Sequence, residues 1–252
     1  GVSVAFRGIP TRMPHLDELN APAIFSEFVH SPRGLVLVTG PTGSGKSTTL
    51  AAMVDLLNQS TAKHILTIED PIEFVHTPHQ CLVNQREVGG HTLSFENALR
   101  AAMREDPNVI LVGEMRDLET IRLAITAAET GHLVFGTLHT SGAAKTIDRI
   151  IDVFPAEEKD MVRSMLSESL NAVISQVLCK RKDGNGRVAA YEIMVGTTGI
   201  RNLIREGKVA QMYSAIQTGS AAGMQTLDQS LSGLVSQGLI DASQARAKAK
   251  YP

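Results

Sequence analysis

Paired cysteines are missing from this 252-residue sequence: Cys81 and Cys179 stand alone, with no C-x-x-C spacing anywhere. A zinc site built on such pairs is excluded, and two isolated thiols fit a reducing cytosol. A net positive charge is missing too. The balance is −2 at neutral pH, so no global basic field holds nucleic acid by its phosphates. That weighs against a DNA-translocating enzyme, and no nucleic-acid partner is expected. Long apolar runs are also absent. Stretches such as 34–38 are far too short to cross a bilayer, so no transmembrane segment is expected. The opening residues, GVSVAFRGIP, have neither the basic start nor the apolar block of a secretory signal. What remains is an ordinary globular mixture, 43% apolar and 20% charged, long enough for one large domain or two small ones.

Within that mixture, strand and helix patterns alternate. Strand-like runs occupy 34–39, 64–68, 109–113 and 133–138. Leu50, Met53, Val54 and Leu57 follow the i, i+3, i+4, i+7 spacing of a helix. Ser94 can cap a second helix carrying Leu99 and Met103, which must end near Pro107. Asp117 can cap a third, through Ile121 and Ile125 to a stop at Gly131. Such alternation predicts an α/β fold, a mainly parallel sheet with helices on both faces. After Pro155, Met161, Met165, Leu166, Leu170, Val173, Ile174 and Val177 trace one long amphipathic helix. DGNG at 183–186 then turns a hairpin from 177–182 into 187–194. The remainder reads as short helices broken near Gly207, 219–223 and Gly238. The segment 1–32 is too short for a domain, and AFRGIP reads as the last strand of one, as if the chain began inside a longer protein.

GPTGSGKS, comprising Gly40, Pro41, Thr42, Gly43, Ser44, Gly45, Lys46 and Ser47, matches G-x-x-x-x-G-K-[ST] between an apolar strand and an amphipathic helix. Glycines let backbone N–H groups turn inward around an anion, and the helix adds its N-terminal dipole. Lys46 should reach the β- and γ-phosphates and the Ser47 hydroxyl a magnesium ion. Carboxylates are needed beside this loop. In NVILVGEMRDLET the residue after the apolar run is Gly113, where such strands usually carry Asp, and the acid comes one step later as Glu114. In ILTIEDPIE the candidates are Glu69, Asp70 and Glu73. Both groups fall at the carboxyl ends of strands, where open parallel sheets bind ligands. Glu69 and Glu73 compete, and spacing does not choose between them.

TGHLVFGTLHTSG places His132 and His139 at opposite ends of one strand. His139 lies at the ligand edge, where a neutral imidazole can donate a hydrogen bond to a γ-phosphate oxygen. His132 by itself reads as a structural histidine. No third metal ligand has suitable spacing, so no zinc is expected.

Taken together, GPTGSGKSTTL, LTIEDPIEFV, LVNQREV, REDPNVILVGEMRDLETIRLA, TAAETGHLVFGTLHT and VFPAEEK resemble the secretion-type ATPases of type II secretion and type IV pili. The resemblance runs from about Phe6 to Lys250 and is strongest to the pilus-retraction branch. It implies a RecA-like P-loop core at 33–195, a mostly helical C-terminal part at 196–252, and at 1–32 the end of a PAS-like domain with its linker. By the same resemblance the loop and Thr48 bind ATP, and Ser47 holds Mg2+ with Glu114 or Glu73 through water. Glu114 and Glu73 are the catalytic carboxylates, with His132 and His139 as the family's histidine pair. GIRNLIRE at 199–206 is similar to the family's retraction motif, with Gly199 in place of Ala. Ile200, Leu203 and Ile204 form one apolar face, and Arg201 and Arg205 share another, exposed one. Assembly and type II secretion ATPases typically insert a four-cysteine zinc element, so the lone cysteines favour retraction. The implied machine is a cytoplasmic ring of six at the inner membrane, meeting the pilus platform protein and related pilus ATPases. An accessory ring that binds ATP with little turnover is the alternative. Without the complete N-terminal domain, which helps close the site across subunits, this fragment is expected to bind ATP more readily than it hydrolyses it. Arg12, Arg33, Arg104, Arg116 and Arg149 are candidates to act across the subunit boundary.

Overall fold

The computed structural model describes residues 12–251, so the strand expected in AFRGIP lies outside the described residues. A short helix α1 (Ile24–Val29) precedes β1 (Gly34–Thr39), α2 (Lys46–Ser60), β2 (His64–Glu69), β3 (Leu82–Glu87), α3 (Phe95–Ala102) and β4 (Val109–Val112). Next come α4 (Leu118–Glu129), β5 (Leu133–Leu138), α5 (Ala143–Asp152), a single 3-10 turn, and α6 (Lys159–Ser169). The hairpin β6 (Leu170–Lys180) and β7 (Arg187–Val195) leads to α7 (Thr198–Arg205), α8 (Val209–Thr218), α9 (Leu227–Ser236) and α10 (Ala242–Lys248).

Among the described residues the strands form one seven-stranded sheet in the order β3-β2-β4-β5-β1-β6-β7. Every neighbouring pair is parallel except β6 and β7. All positions of β1, β4 and β5 are buried, which is why they read as unbroken apolar runs. Alternate residues of β1 enter opposite cores. Leu35 and Leu37 pack with α3 to α8, whereas Val36 and Val38 pack with α1 and α2. A smaller cluster joins Cys179, Val188 and Ala190 of the hairpin to Leu231, Leu234 and Ile240. The helix starts follow from the sequence. Ser94 accepts from Asn97 N–H, Asp117 from Thr120 N–H and Thr197 from Ile200 N–H.

The long helix expected through Val177 is the main correction. Helix α6 stops at Ser169, and Leu170–Lys180 is a strand between β1 and β7. A strand covered on both faces is apolar without alternation, so Leu170, Val173, Ile174 and Val177 imitate helical spacing. The DGNG turn forms, but it closes a hairpin whose first arm is much longer than expected. Two elements were missed: β3, a polar and half-exposed sheet edge, and α5, directly after the second histidine, although Ala143, Ile147, Ile150 and Ile151 recur at helical spacing and are buried.

Candidate active site

The phosphate-loop motif connects β1 to α2. Gly40, with φ 142°, could not carry a side chain, because a Cβ there would lie 2.3 Å from Gln176 O and 2.6 Å from Ser44 Oγ. Gly45, with φ 89°, is the residue before α2. Gln176 braces the loop from β6: its Nε2 donates to Ser44 O at 2.6 Å, and its Oε1 accepts from Thr49 Oγ1 at 2.9 Å. Lys46 is only 9% exposed and folds back onto the Gly40 and Pro41 carbonyls, at 3.0 and 3.2 Å. Burial pushes its ammonium pKa down, opposed in part by the charges of Glu114 and Glu73. Both acids are therefore close enough to act on the loop lysine.

Gly113 now has a reason. A Cβ there would sit 3.0 Å from Ile68 O and 3.2 Å from Glu69 Cα, so the ends of β2 and β4 would have to part by a few tenths of an ångström to admit a side chain. Gly113 N–H donates to Ile68 O, and Thr137 Oγ1 donates to Gly113 O. The carboxylate is thereby delivered by Glu114. Its Oε2 pairs with Arg116 Nη2 at 2.5 Å, and its Oε1 lies 3.2 Å from His139 Nε2. Burial pushes the Glu114 carboxyl up, but its hydrogen bond to Arg116 and the nearby charges of His139 and Arg116 outweigh this and lower it. His139 Nδ1 reaches Thr42 Oγ1 at 3.4 Å. One imidazole thus spans the phosphate loop and the β4 carboxylate.

Glu69 is differently placed. Its Oε1 accepts from Thr67 Oγ1 (2.6 Å) and Gln85 Nε2 (3.1 Å), and burial raises its pKa. Lys46, Ser47, Glu73, Glu114, Arg116 and His139 share the walls of one cleft of about 460 Å³ with Glu69 and Asp70. His132 is not among them. It precedes β5, at the far end of a strand that puts it roughly 20 Å from His139, and its Nδ1 lies 3.0 Å from Ala127 O at the close of α4. Within one chain the two histidines do not meet.

Of the five arginines, Arg116 and Arg149 lie beside Glu114 and His139 around a smaller adjoining cavity. Arg12 pairs with Glu18, and Arg33 and Arg104 precede β1 and β4, away from the carboxyl edge. In α7, Ile200 and Ile204 are fully buried, Leu203 is half-buried and Arg205 is exposed. Arg201 departs from expectation. Its guanidinium donates to Gly196 O (2.7 Å), Ser167 O (2.6 Å) and Glu168 O, so it is a tie between elements. Gln176 and Arg187, on the cleft side of the hairpin, went unnoticed in the sequence. A buried amide in an apolar strand would have marked Gln176, had 170–177 not looked helical.

The family model described as "Type II/IV secretion system protein" matches residues 16–247. The type IV pilus retraction ATPase PilT of Pseudomonas aeruginosa is 70% identical over the whole chain, which covers 73% of that relative. A twitching motility protein of Neisseria gonorrhoeae is 66% identical over 99% of this chain and 67% of its own length. The crystal structure of the pilus retraction motor PilT with bound ADP superposes with a TM-score of 0.92 at 53% identity, covering 98% of this chain and 70% of that one. Sheet order, phosphate loop and these matches agree on a RecA-like core, and the chain belongs to the type II/IV secretion system protein family.

Proposed function

We propose that this chain is the ATP-hydrolysing part of a motor that retracts type IV pili, acting as a ring of six. The observation that carries the reading is the single imidazole spanning Thr42 and Glu114 beside the buried Lys46. The carbonyls now holding Lys46 are stand-ins for phosphate oxygens, which would take over its ammonium. A buried cation facing two carboxylates across a cleft suits a polyanion bound together with a divalent metal. Mg2+ would be held by Ser47, with Glu114 or Glu73 through water, and supplies charge neutralisation at the phosphates. Glu114, kept ionised by Arg116 and His139, orients the attacking water. Glu73 shares that task, since it lines the same cleft and its charge, like that of Glu114, acts on Lys46. His139 is placed to follow the γ-phosphate, whereas His132 serves as a clamp on the end of α4.

On this reading 33–195 is the ATPase core, onto which α1 of the linker segment packs through Phe25, Phe28 and Val29, and 196–252 is a helical subdomain that carries the retraction motif. No described helix is long and apolar enough to cross a membrane. The motor works on the cytoplasmic side of the inner membrane at the pilus base, where its partners are a platform protein and related pilus ATPases. Phosphate release by the intact protein tests the reading. It should fall at least 100-fold in Glu114→Gln, on the order of what a lost water-orienting group costs, while ATP still binds. Lys46→Ala should abolish tight binding in calorimetry. Equal release by parent and Glu114→Gln would instead indicate an accessory ring with little turnover.

A further inference from the structure

The turn after His139 has no capping side chain of its own. The N-cap of α5 is Gly142, with φ 103°. Its amides are taken up by the hairpin. Gly142 N–H donates to Ser175 Oγ on β6 at 2.9 Å, and Ala143 N–H donates to Glu192 Oε1 on β7 at 2.6 Å. Ser175 and Glu192 face each other in antiparallel register, and Glu192 is only 3% exposed. A buried carboxylate is tolerated where something engages it, and the unpaired amides and positive dipole end of a helix do so. Within the turn, Thr146 Oγ1 donates to Gly142 O and lies 2.7 Å from Thr140 Oγ1, which ties the residue after His139 to the anchored end. The next β6 residue, Gln176, braces the phosphate loop. Two consecutive residues of one strand thus hold both sides of the cleft.

We infer that Glu192 is a positioning residue for ATP hydrolysis: by holding the amide that starts α5, it fixes the turn that aims His139 between Thr42 and Glu114. This rests on the ATPase reading above. Glu192 is not among the residues that line the cleft, so its effect passes through His139.

Steady-state kinetics on the intact protein test it. Glu192→Ala should lower kcat on the order of 10–100-fold, the scale of a displaced catalytic group, while KM for ATP stays within about twofold. Glu192→Gln keeps the acceptor oxygen and should recover most of the rate. In a His139→Ala background, Glu192→Ala should add little, because both changes remove the same interaction. Ser175→Ala, a smaller change that leaves the fold less disturbed, should move kcat in the same direction. A Glu192→Ala loss that persists undiminished in the His139→Ala background would overturn the inference. So would folded Ser175→Ala and Glu192→Ala proteins that turn over like the parent. A parent protein with no turnover would remove the ATPase reading and this inference together, whereas parental turnover with additive losses removes the inference alone.

Discussion

His76 is buried beside the cleft with a ring Nδ1 that has no hydrogen-bond partner among the described residues, and burial lowers its pKa from 6.5 to about 4. The unfolded chain therefore takes up this proton at a higher pH than the folded one. Stability should fall as pH drops from about 6.5 towards 4, by up to roughly 3 kcal/mol from this group. Urea unfolding at several pH values checks this: His76→Gln should flatten the acid slope, and an unchanged slope would show that other groups govern it. At this scale the sequence was uneven. The phosphate loop was legible because its glycines and lysine recur at a spacing that only one backbone path satisfies. Glu114 was legible from the strand it ends. Gln176, Arg187 and Glu192 were not, because they meet the phosphate loop, the cleft wall and the start of α5 from strands far away in the chain.

Among the elements, α7 shows how a pattern can be right in its apolar half and wrong in its polar half. The spacing of Ile200 and Ile204 gave the buried face, and Ile204→Ala should cost about 2–5 kcal/mol. Helical spacing puts the Arg201 Cα away from that face, but its long side chain turns back to three carbonyls. Arg201→Gln should therefore destabilise by roughly 1–3 kcal/mol, with Tm below that of the parent even before any effect on retraction. A parental Tm would mean that the tie carries no stability. Gly199 is the reverse case. A Cβ there meets nothing closer than Thr197 Oγ1 at 3.9 Å, so Gly199→Ala should raise stability by ~0.5 kcal/mol through lost unfolded-state freedom. The strand–helix alternation of the first two thirds was legible because its buried strands are short and bounded by turns. The α6–β6 junction was not, since no glycine or proline separates helix from strand and only sheet pairing decides between them.

For the whole molecule, the cleft's position matters most. Arg116 and His139 stay substantially exposed at its rim, and Arg149 lies just outside. On the proposed ring of six, a neighbouring subunit would close this open site around the charge building on the γ-phosphate. Turnover per subunit should therefore rise with protein concentration, in step with the appearance of a sixfold mass. Constant specific activity down to monomeric concentrations would contradict shared sites.

Strand β6 is bonded along both edges, to β1 through five residue pairs and to β7 through nine. Arg201 grips the backbone just before β6 and just after β7, while Ser175 and Gln176 lie roughly 20 Å further along the strand. A pull on α7 along that axis loads the ladder in shear, so its bonds must yield together, not one by one as in peeling. On the motor function proposed above, the hairpin is in mechanical terms a stiff tie rod, with one register shift opposite Leu35 and Val36: displacement at the fuel end would arrive at α7 with little lost to stretch, as an engine that does work against a load requires.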